Sequence, residues 1–233
     1  MSRWSRAACL LDLPSRSRVL DLGCAFGFGT RRLLPKYSAF GHDLSAAYIE
    51  RARKSVQTAE FTHGSAENIP YPDGFFDGVL LLDVLEHVPD EEATLKEVHR
   101  VLRPGGRLVV SVPNQGLLAG WDSLNLYRTI FGDRRPAPTD DPSWTTSPRH
   151  RHYSIESLRA LVEDRFEIQA AQYTGLGLAE PINLALLLVF RALFPFRFAY
   201  ETAQYVYFAA YLAEDRIVTG RYGYHMMAVF SRR

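Results

Sequence analysis

Short apolar runs alternate along the chain with segments in which apolar residues recur every three or four positions. Val19–Leu22, Val79–Leu82 and Leu108–Val112 are continuous rather than alternating runs, as expected for strands covered on both faces of a parallel sheet. Ala39–Asp43 and Glu60–Thr62 are weaker strand candidates. The first half of the chain therefore predicts a buried parallel sheet.

Helical patterns lie between these strands. Apolar residues recur at helical spacing in Ser45–Val56, with Ser45 as N-cap, and in Asp90–Leu102, behind an acidic first turn. Residues 103–106, Arg-Pro-Gly-Gly, are expected to end the second helix and turn the chain into the next strand. The alternation of strands and helices predicts right-handed crossovers and a doubly wound α/β sheet.

The pattern changes after Pro113. Residues 114–148 are rich in Pro, Gly, Asp and Trp and predict an irregular excursion, of the length that is usually functional or mobile. Ser154–Val162 predicts a helix capped by Ser154, and Phe166–Thr174 and His225–Ser231 predict strands. We expect one domain, residues 1–233, with a core of about 15–113, 150–174 and 224–233.

An apolar and aromatic insertion, residues 175–223, separates the last two predicted strands. It predicts two helices, near Ile182–Leu193 and Ala199–Ala213. Its aromatic residues are Phe190, Phe194, Phe196, Phe198, Tyr200, Tyr205, Tyr207, Phe208 and Tyr211, with Arg191 and Arg197 among them.

Composition narrows the class of protein. A net charge of +1 over 233 residues argues against nucleic-acid binding through a broad basic surface. Cys9 and Cys24 offer neither a disulfide framework nor metal-ligand spacing, which favours a reducing compartment. The first apolar run is too short for a signal peptide, and the longest, Ile182–Phe190, is too short to span a membrane. We expect a cytoplasmic protein.

A glycine-rich turn follows the first strand, in RVLDLGCAFGFGT at residues 18–30. A dinucleotide-binding turn requires G-x-G-x-x-G. Counted from Gly27 and Gly29, the third glycine is replaced by Arg32, and counted from Gly23, the second is replaced by Ala25. The sequence instead has Asp21 followed by glycines at positions 23, 27 and 29.

This D-x-G-x-(G/A)-x-G turn resembles the first motif of the class I S-adenosylmethionine (AdoMet)-dependent methyltransferases, with Ala25 where glycine is usual. The resemblance continues, in order and spacing, through GHDLS (41–45), GSAENIPYPDGFFDGVLLLDVLEHVPD (64–90) and VLRPGGRLVVSVPN (101–114), and more loosely through RHYSIESLRALVEDRFEI (151–168). It is strongest to small-molecule methyltransferases related to those of ubiquinone and menaquinone synthesis. It implies a Rossmann-like α/β fold, mostly parallel with an antiparallel last strand, and AdoMet as cofactor.

The resemblance also implies which residues hold AdoMet. Asp43, with Leu44 beside it, ends the second strand, where a carboxylate accepts hydrogen bonds from the ribose hydroxyls and repels a 2′-phosphate. Gly23 lets the backbone approach the amino-acid tail, and Ala25 leaves slightly less room than glycine. Asp21 helps to hold the tail, through its ammonium or through water.

The remaining cofactor candidates follow two later strands. Ser65 and Ala66 stand where the family usually has an acidic and then a small residue near the adenine, so Ser65 is a neutral acceptor in place of the usual Asp. Asp83 closes the fourth strand beside the methionine portion. Taken alone, Asp43 and Asp83 are also explained as helix caps or turn formers at the ends of strands.

Histidines are the candidates for proton transfer. His87 follows Asp83 and Glu86 in a segment that, in related enzymes, lies under the reacting centre, and its ordinary pKa suits a general base or substrate orienter. The alternative is a histidine that packs at a helix start. His150 and His152 form a second candidate pair, in a segment that could fold over the pocket.

Asp83, Glu86 and His87 also form a D-x-x-E-H cluster. Oxygen ligands with one imidazole suit Mg²⁺ or Mn²⁺, but the sequence identifies no fourth ligand, so we predict no metal site.

The aromatic insertion is the candidate for acceptor binding. With Trp121, Tyr127, Phe131 and Trp144 it suits a lid over a hydrophobic acceptor, whose anionic group the arginines could bind. Peripheral membrane contact, a homodimer face and a helical layer that packs on the sheet are the alternatives.

The sequence therefore predicts AdoMet-dependent methyl transfer to a hydrophobic small molecule, with O-methylation assisted by His87 as the leading hypothesis. An N- or C-methyltransferase of the same fold, and a non-catalytic AdoMet-binding partner subunit, are the alternatives. The glycine spacing speaks against an NAD-dependent oxidoreductase.

Overall fold

A mixed sheet of eight strands organises the described part of the chain. The computed structural model describes residues 2–116, 119–131, 150–189 and 197–233. The strands are β1 (Arg18–Leu22), β2 (Ser38–Asp43), β3 (Glu60–His63), β4 (Phe76–Leu82), β5 (Leu102–Pro113), β6 (Phe166–Thr174), β7 (Val218–Thr219) and β8 (His225–Arg232). They lie in the order β3-β2-β1-β4-β5-β8-β6-β7. The first five are mutually parallel, and β8 is antiparallel to both β5 and β6, so the predicted fold class is confirmed.

Helices cover the sheet and extend beyond its edge. They are α1 (Arg3–Leu11), α2 (Phe28–Leu33), α3 (Ala46–Ser55), α4 (Glu91–Val101), α5 (Ser123–Phe131), α6 (Ile155–Val162), α7 (Ala179–Leu187) and α8 (Arg197–Glu214), with a 3₁₀ turn at Ala119–Trp121. Ser45, Asp90 and Ser154 cap α3, α4 and α6 by accepting hydrogen bonds from backbone N–H groups of the first turn. None of the described helices is long and apolar enough to cross a bilayer.

The apolar runs of the central strands supply both faces of the sheet. Leu20, Leu81 and Leu108 join a core beneath α4 and α6, while their neighbours Leu80 and Val109 join a second core beneath α1 and α2. Because successive side chains point to opposite faces, a strand buried on both sides is apolar throughout.

Several predicted boundaries need correction. Helix α1 was not predicted, and residues 103–106 do not separate a helix from a strand. These residues form a bulge within β5. Leu102 pairs with Phe76 before the bulge, and Arg107 pairs with Gly78 after it.

The two decorations also differ from expectation. The excursion contains a 3₁₀ turn and α5, and the insertion contains the short strand β7 in addition to two helices. Helix α7 begins at Ala179, earlier than predicted. Trp144, Phe190, Arg191, Phe194 and Phe196 lie outside the described residues.

Candidate active site

The glycine turn closes over the carboxyl end of β1. Gly23 has a φ of +78°, and a Cβ placed there would lie 2.2 Å from Cγ2 of Val84. Its N–H donates to the carbonyl of His42 at 2.8 Å, which ties the turn to β2. Ala25 also adopts a positive φ, 45°, a left-handed conformation that glycine adopts more easily. Position 23 thus has space for backbone only, because Val84 lies where a side chain would begin.

Asp43 connects this turn to the next helix. Its Oδ2 accepts the N–H of Ala25 and its Oδ1 accepts the N–H of Ser45, both at 2.8 Å. The side chain is partly exposed at the wall of a cavity of about 220 Å³. An ionised carboxylate oxygen can accept more than one hydrogen bond.

Most of the predicted cofactor residues line this first cavity, which we call the cofactor cavity. They are Gly23, Ala25, Asp43, Leu44, Ser65, Ala66 and Asp83. His87, the predicted base, lines it as well, together with residues that the sequence did not indicate, among them His42, Tyr48, Gly64 and Val84.

His42 is one of these missed residues, and it orders the loop after β3. Its Nδ1 lies 2.8 Å from Oγ1 of Thr62 and its Nε2 lies 3.1 Å from the carbonyl of Ser65. Burial lowers the pKa of His42, which favours the neutral ring. Its position directly before Asp43 was the available signal.

Asp21 lies beneath the cavity wall and is not one of the lining residues in the described chain. It is almost fully buried and accepts a hydrogen bond of 2.7 Å from the hydroxyl of Thr30. Desolvation raises the pKa of Asp21 to about 6. The structure places Asp21 as a support of the turn, so its predicted contact with the cofactor tail stays a prediction.

Asp83 lies between the cofactor cavity and a second, larger one. It has a φ of +57°, and its Oδ1 accepts the hydroxyl of Ser111 at 3.0 Å. Its Oδ2 accepts from the guanidinium of Arg3, in the first turn of α1. The end of β4 is thus fixed from two sides.

The second cavity, of about 460 Å³, lies among α1, the end of β4, α5, α7 and α8, and we call it the acceptor cavity. Asp83 and His87 line both cavities. The wall combines aromatic rings, carboxylates and imidazoles: Trp4, Tyr205, Tyr207, Tyr211 and Tyr224, with Glu86, Asp122, Glu180, His150 and His225. The predicted insertion aromatics Tyr205, Tyr207 and Tyr211 therefore reach the same cavity as His87.

A group of carboxylates and imidazoles forms one part of this wall. The rings of His87 and His150 lie 4.8 Å apart. Nδ1 of His150 lies 2.6 Å from Oδ2 of Asp122, and its Nε2 lies 3.8 Å from Oε1 of Glu86. Two sets, Glu86 with His87 and His150, and Asp122 with His150 and His152, each bring three potential ligand atoms within 4.8 Å of one another.

Burial and the neighbouring Asp122 determine the protonation of these imidazoles and of Glu86. Burial opposes protonation of His150, but the hydrogen bond and charge of Asp122 outweigh it and raise the pKa of His150. Desolvation raises the pKa of Glu86 and lowers that of His152. His152 lies 3.4 Å from Oδ2 of Asp122 but is not one of the residues that line the cavity in the described chain.

Residues from distant parts of the chain, which the sequence did not indicate, also form the site. Arg3 and Trp4 of α1, Asp122 before α5, Glu180 of α7 and Tyr224 before β8 all reach the acceptor cavity. Asp122, directly before an apolar segment, has the pattern of a helix N-cap, which was the one signal available.

Comparisons with known proteins agree with this architecture. A family model described as a methyltransferase domain matches residues 20–110. A 27-O-demethylrifamycin SV methyltransferase of Amycolatopsis mediterranei (strain S699) is 35% identical over 217 residues, which cover 78% of this chain and 80% of that protein. A demethylmenaquinone methyltransferase of Geobacillus sp. (strain WCH70) is 26% identical over 180 residues, 70% of this chain and 77% of that protein.

Solved structures share the fold. A structure from Thermotoga maritima, described as a SAM-dependent methyltransferase and possible histamine N-methyltransferase, superposes with a TM-score of 0.64 at 21% identity, over 99% of this chain and 88% of that chain. A SAM-dependent methyltransferase from Methanosarcina mazei superposes with a TM-score of 0.62 at 21% identity, over 94% and 93% of the two chains.

Proposed function

Because the chain belongs to the class I AdoMet-dependent methyltransferases, we propose that it O-methylates a hydrophobic small molecule with His87 as general base. The observation that carries the proposal is the position of His87 in the wall shared by the cofactor and acceptor cavities. A group at that wall can reach a hydroxyl in the larger cavity and stay beside the methyl donor in the smaller one.

The residues of the cofactor cavity fit AdoMet. Gly23 lines the cavity as backbone alone, since Val84 occupies the position of a Cβ, and Asp43 presents carboxylate oxygens at the end of β2. The described wall has no Lys or Arg side chain of the kind that would bind a phosphate, which suits a cofactor without one. We propose that Asp43 with Leu44 holds the ribose, Ser65 and Ala66 the adenine, and Gly23, Ala25, Asp83 and the supporting Asp21 the methionine part.

When bound, AdoMet supplies an electrophilic methyl group on its sulfonium. The protein then has to align the acceptor oxygen with that methyl, exclude water and remove the hydroxyl proton. His87 takes the proton in our proposal. His150 and His152 are the second pair of candidates for proton transfer, and only His150 of the two lines the acceptor cavity in the described chain.

The composition of the acceptor cavity favours a ring-containing, hydrophobic acceptor. Trp4, Tyr205, Tyr207 and Tyr211 present apolar ring faces with polar tips. The similar A. mediterranei protein is named for the 27-O position of a rifamycin, and the Geobacillus protein for demethylmenaquinone. We propose an acceptor of this class, a polyketide-like or quinone-like compound with a free hydroxyl.

The insertion that contributes to the acceptor cavity also carries exposed apolar side chains. Tyr205 lines the cavity and yet is 77% exposed, and Leu178, Val206 and Val218 of the same insertion are each more than half exposed. We propose that this surface contacts either a membrane that holds the acceptor or a second copy of the chain. Flotation with lipid vesicles and light scattering of the purified protein separate the two; binding to neither would contradict both.

The test compares wild type with His87→Asn and, as a matched control, His99→Asn, a histidine of α4 next to Arg232. Each is incubated with AdoMet and a panel of hydrophobic hydroxyl compounds, and the demethylated cofactor is quantified across pH. We expect His87→Asn to lower kcat by about 10²–10⁴-fold, the range for a lost general base, while His99→Asn retains wild-type activity.

Other outcomes would change the assignment. Equal rates for His87→Asn and wild type would indicate an acceptor that needs no base at His87, which contradicts the proposed role and favours a different acceptor atom. AdoMet binding without turnover on any acceptor of the panel would favour the non-catalytic subunit.

A further inference from the structure

Three potential ligand atoms, two of them from residues that line the acceptor cavity, lie within 4.8 Å of one another. Oδ2 of Asp122 lies 2.6 Å from Nδ1 of His150 and 3.4 Å from Nε2 of His152. Ligand atoms around a tetrahedral Zn²⁺ at about 2.1 Å are about 3.4 Å apart. The Asp122–His152 distance matches this spacing, whereas the shorter Asp122–His150 distance is that of a hydrogen bond and would lengthen when an ion replaced its proton. We propose that Asp122, His150 and His152 bind a divalent transition-metal ion, at a site that is separate from the AdoMet-binding residues.

A buried nitrogen of His152 is not satisfied by the hydrogen bonds around it. Its Nε2 is fully buried and has no hydrogen-bond partner within the described part of the chain, although Asp122 lies nearby. Buried ring nitrogens are normally satisfied, since an unmade hydrogen bond costs about 1–3 kcal/mol. A cation that is shared with Asp122 would satisfy this nitrogen.

The other two ligands are held in place by the start of α5. Oδ1 of Asp122 accepts the N–H groups of Leu124 and Asn125 at 3.0 and 2.9 Å. Oδ2 faces Nδ1 of His150, and the ion would replace the proton that these two atoms share. The Asn125 side chain makes two hydrogen bonds to the backbone of His150, from His150 N–H to Oδ1 at 2.9 Å and from Nδ2 to the His150 carbonyl at 2.8 Å. One helical turn therefore positions both residues before an ion binds, as a preorganised site requires.

Glu86 completes the surroundings of His150. When Nδ1 of His150 binds an ion, its Nε2–H points towards Oε1 of Glu86, 3.8 Å away. Oε2 of Glu86 is buried and has no hydrogen-bond partner within the described residues. A carboxylate behind a metal-binding imidazole fixes the ring and strengthens the ligand, an arrangement common in metalloproteins.

Two imidazoles and one carboxylate favour a first-row transition ion over Mg²⁺ or Ca²⁺, which prefer oxygen ligands. Asp122 and His150 both line the acceptor cavity, so an ion held by them would have open positions towards it. An acceptor oxygen could occupy such a position; this last step rests on the proposed function, whereas metal binding itself does not.

The test measures metal binding directly. Chelator-treated full-length protein is titrated with Zn²⁺ by calorimetry and with Co²⁺ by visible absorption, which reports nitrogen ligands. Wild type is compared with Asp122→Asn, His152→Asn, Glu86→Gln and the control His63→Asn, an exposed histidine outside the cluster. Circular dichroism and AdoMet binding, measured on the same samples, verify that each variant is folded.

We expect one ion per chain in the wild type and in His63→Asn. Affinity should fall about tenfold in Glu86→Gln, at the lower end for a residue behind a ligand, and further in Asp122→Asn and His152→Asn. Zn²⁺ binding that is lost only in His63→Asn would overturn the proposal, because the ion would then bind adventitiously at the surface. The absence of a Co²⁺ spectrum in the wild type would overturn it as well, because no nitrogen ligands would hold the ion.

A His87→Asn variant separates the two possible ligand sets. Loss of the Co²⁺ spectrum in His87→Asn with retention in His152→Asn would overturn our assignment and place the ion on Glu86, His87 and His150 instead. Failure of methyl transfer with the metal titration intact would leave this proposal standing and contradict only the proposed function.

Discussion

Arg3, the first residue of α1, donates a hydrogen bond to Asp83 at the carboxyl end of β4. Its guanidinium also lies 3.3 Å from Asp215, directly after α8, and 4.9 Å from the centre of the Tyr211 ring. The Arg3 side chain is 3% exposed and that of Asp215 is 2% exposed. One buried cation thus joins the amino-terminal helix, the strand between the two cavities and the aromatic insertion.

Arg3→Met should destabilise the fold strongly, because it leaves Asp215 buried without its counter-ion. Removal of one partner of a buried pair costs about 3–5 kcal/mol, and we expect the lower end because Asp83 is one-third exposed. Urea unfolding measures the change. The control is Arg103→Met, which removes the half-exposed partner of Asp77 and should cost less, about 1 kcal/mol. Similar losses in both variants would contradict the role of the buried network.

Gly23→Ala should weaken AdoMet binding and lower stability, because the added Cβ would lie 2.2 Å from Val84 in a left-handed backbone. Backbone strain of about 1–2 kcal/mol adds to an overpacking cost of about 1–3 kcal/mol. Gly105→Ala is a matched control, since Gly105 has a similar φ of +72° but no atom within 4 Å of the new Cβ. For Gly105→Ala we therefore expect only the loss of stability that comes from backbone strain. Thermal shift with and without AdoMet compares the two, and an AdoMet response preserved in Gly23→Ala would contradict the prediction.

Asp43→Asn should reduce AdoMet affinity and loosen the glycine turn. Both carboxylate oxygens already accept backbone N–H groups, from Ala25 and Ser45, and an amide can accept only one of them. If the variant also loses the charge-assisted hydrogen bond from Asp43 to the ribose, worth about 1.5–3 kcal/mol, the Kd for AdoMet rises roughly 10- to 100-fold. Calorimetry with AdoMet measures it, with the exposed Asp73→Asn as the control. An unchanged Kd would exclude Asp43 as a cofactor ligand.

The fold could largely be predicted because its central strands are buried on both faces. Leu80 and Leu81 face opposite cores, so the run around them is apolar without interruption and identifies a parallel strand. Ser45 and Ser154 mark helix starts by local hydrogen bonding, which sequence alone displays. These elements could be predicted because short stretches of sequence contain the residues that determine them.

Helix α1 and half of the acceptor cavity could not be predicted because their partners are distant in sequence. Along α1, Arg3, Ala7 and Leu11 share the buried face, and the first of them is a cation that Asp215 and Asp83 neutralise. A periodic pattern of apolar residues cannot identify a buried helix face that contains an arginine. The cluster of His150 with Asp122 and Glu86 likewise forms only when three separate segments meet.

Asp21→Asn should change the pH dependence of stability in a defined direction. Burial, with a smaller contribution from the charge of Asp43, raises the pKa of Asp21 in the folded protein to about 6, from an ordinary value of 3.8. The folded state therefore holds a proton that the unfolded state has already released between these two values. The stability that the protonated carboxyl gives is complete below about pH 4 and is lost as the pH rises through 6.

The wild type should thus lose stability relative to Asp21→Asn between pH 4 and 6, by about 3 kcal/mol in total, and the difference should be constant above that range. Urea unfolding of both proteins from pH 4 to 8 gives the difference curve. Thr30→Val removes the hydroxyl that donates to Asp21 and favours its ionised form, so in this variant the upper end of the transition should move to higher pH. A difference between wild type and Asp21→Asn that does not vary with pH would mean that Asp21 is solvated in the folded protein, and the cavity wall above it would then be open to water.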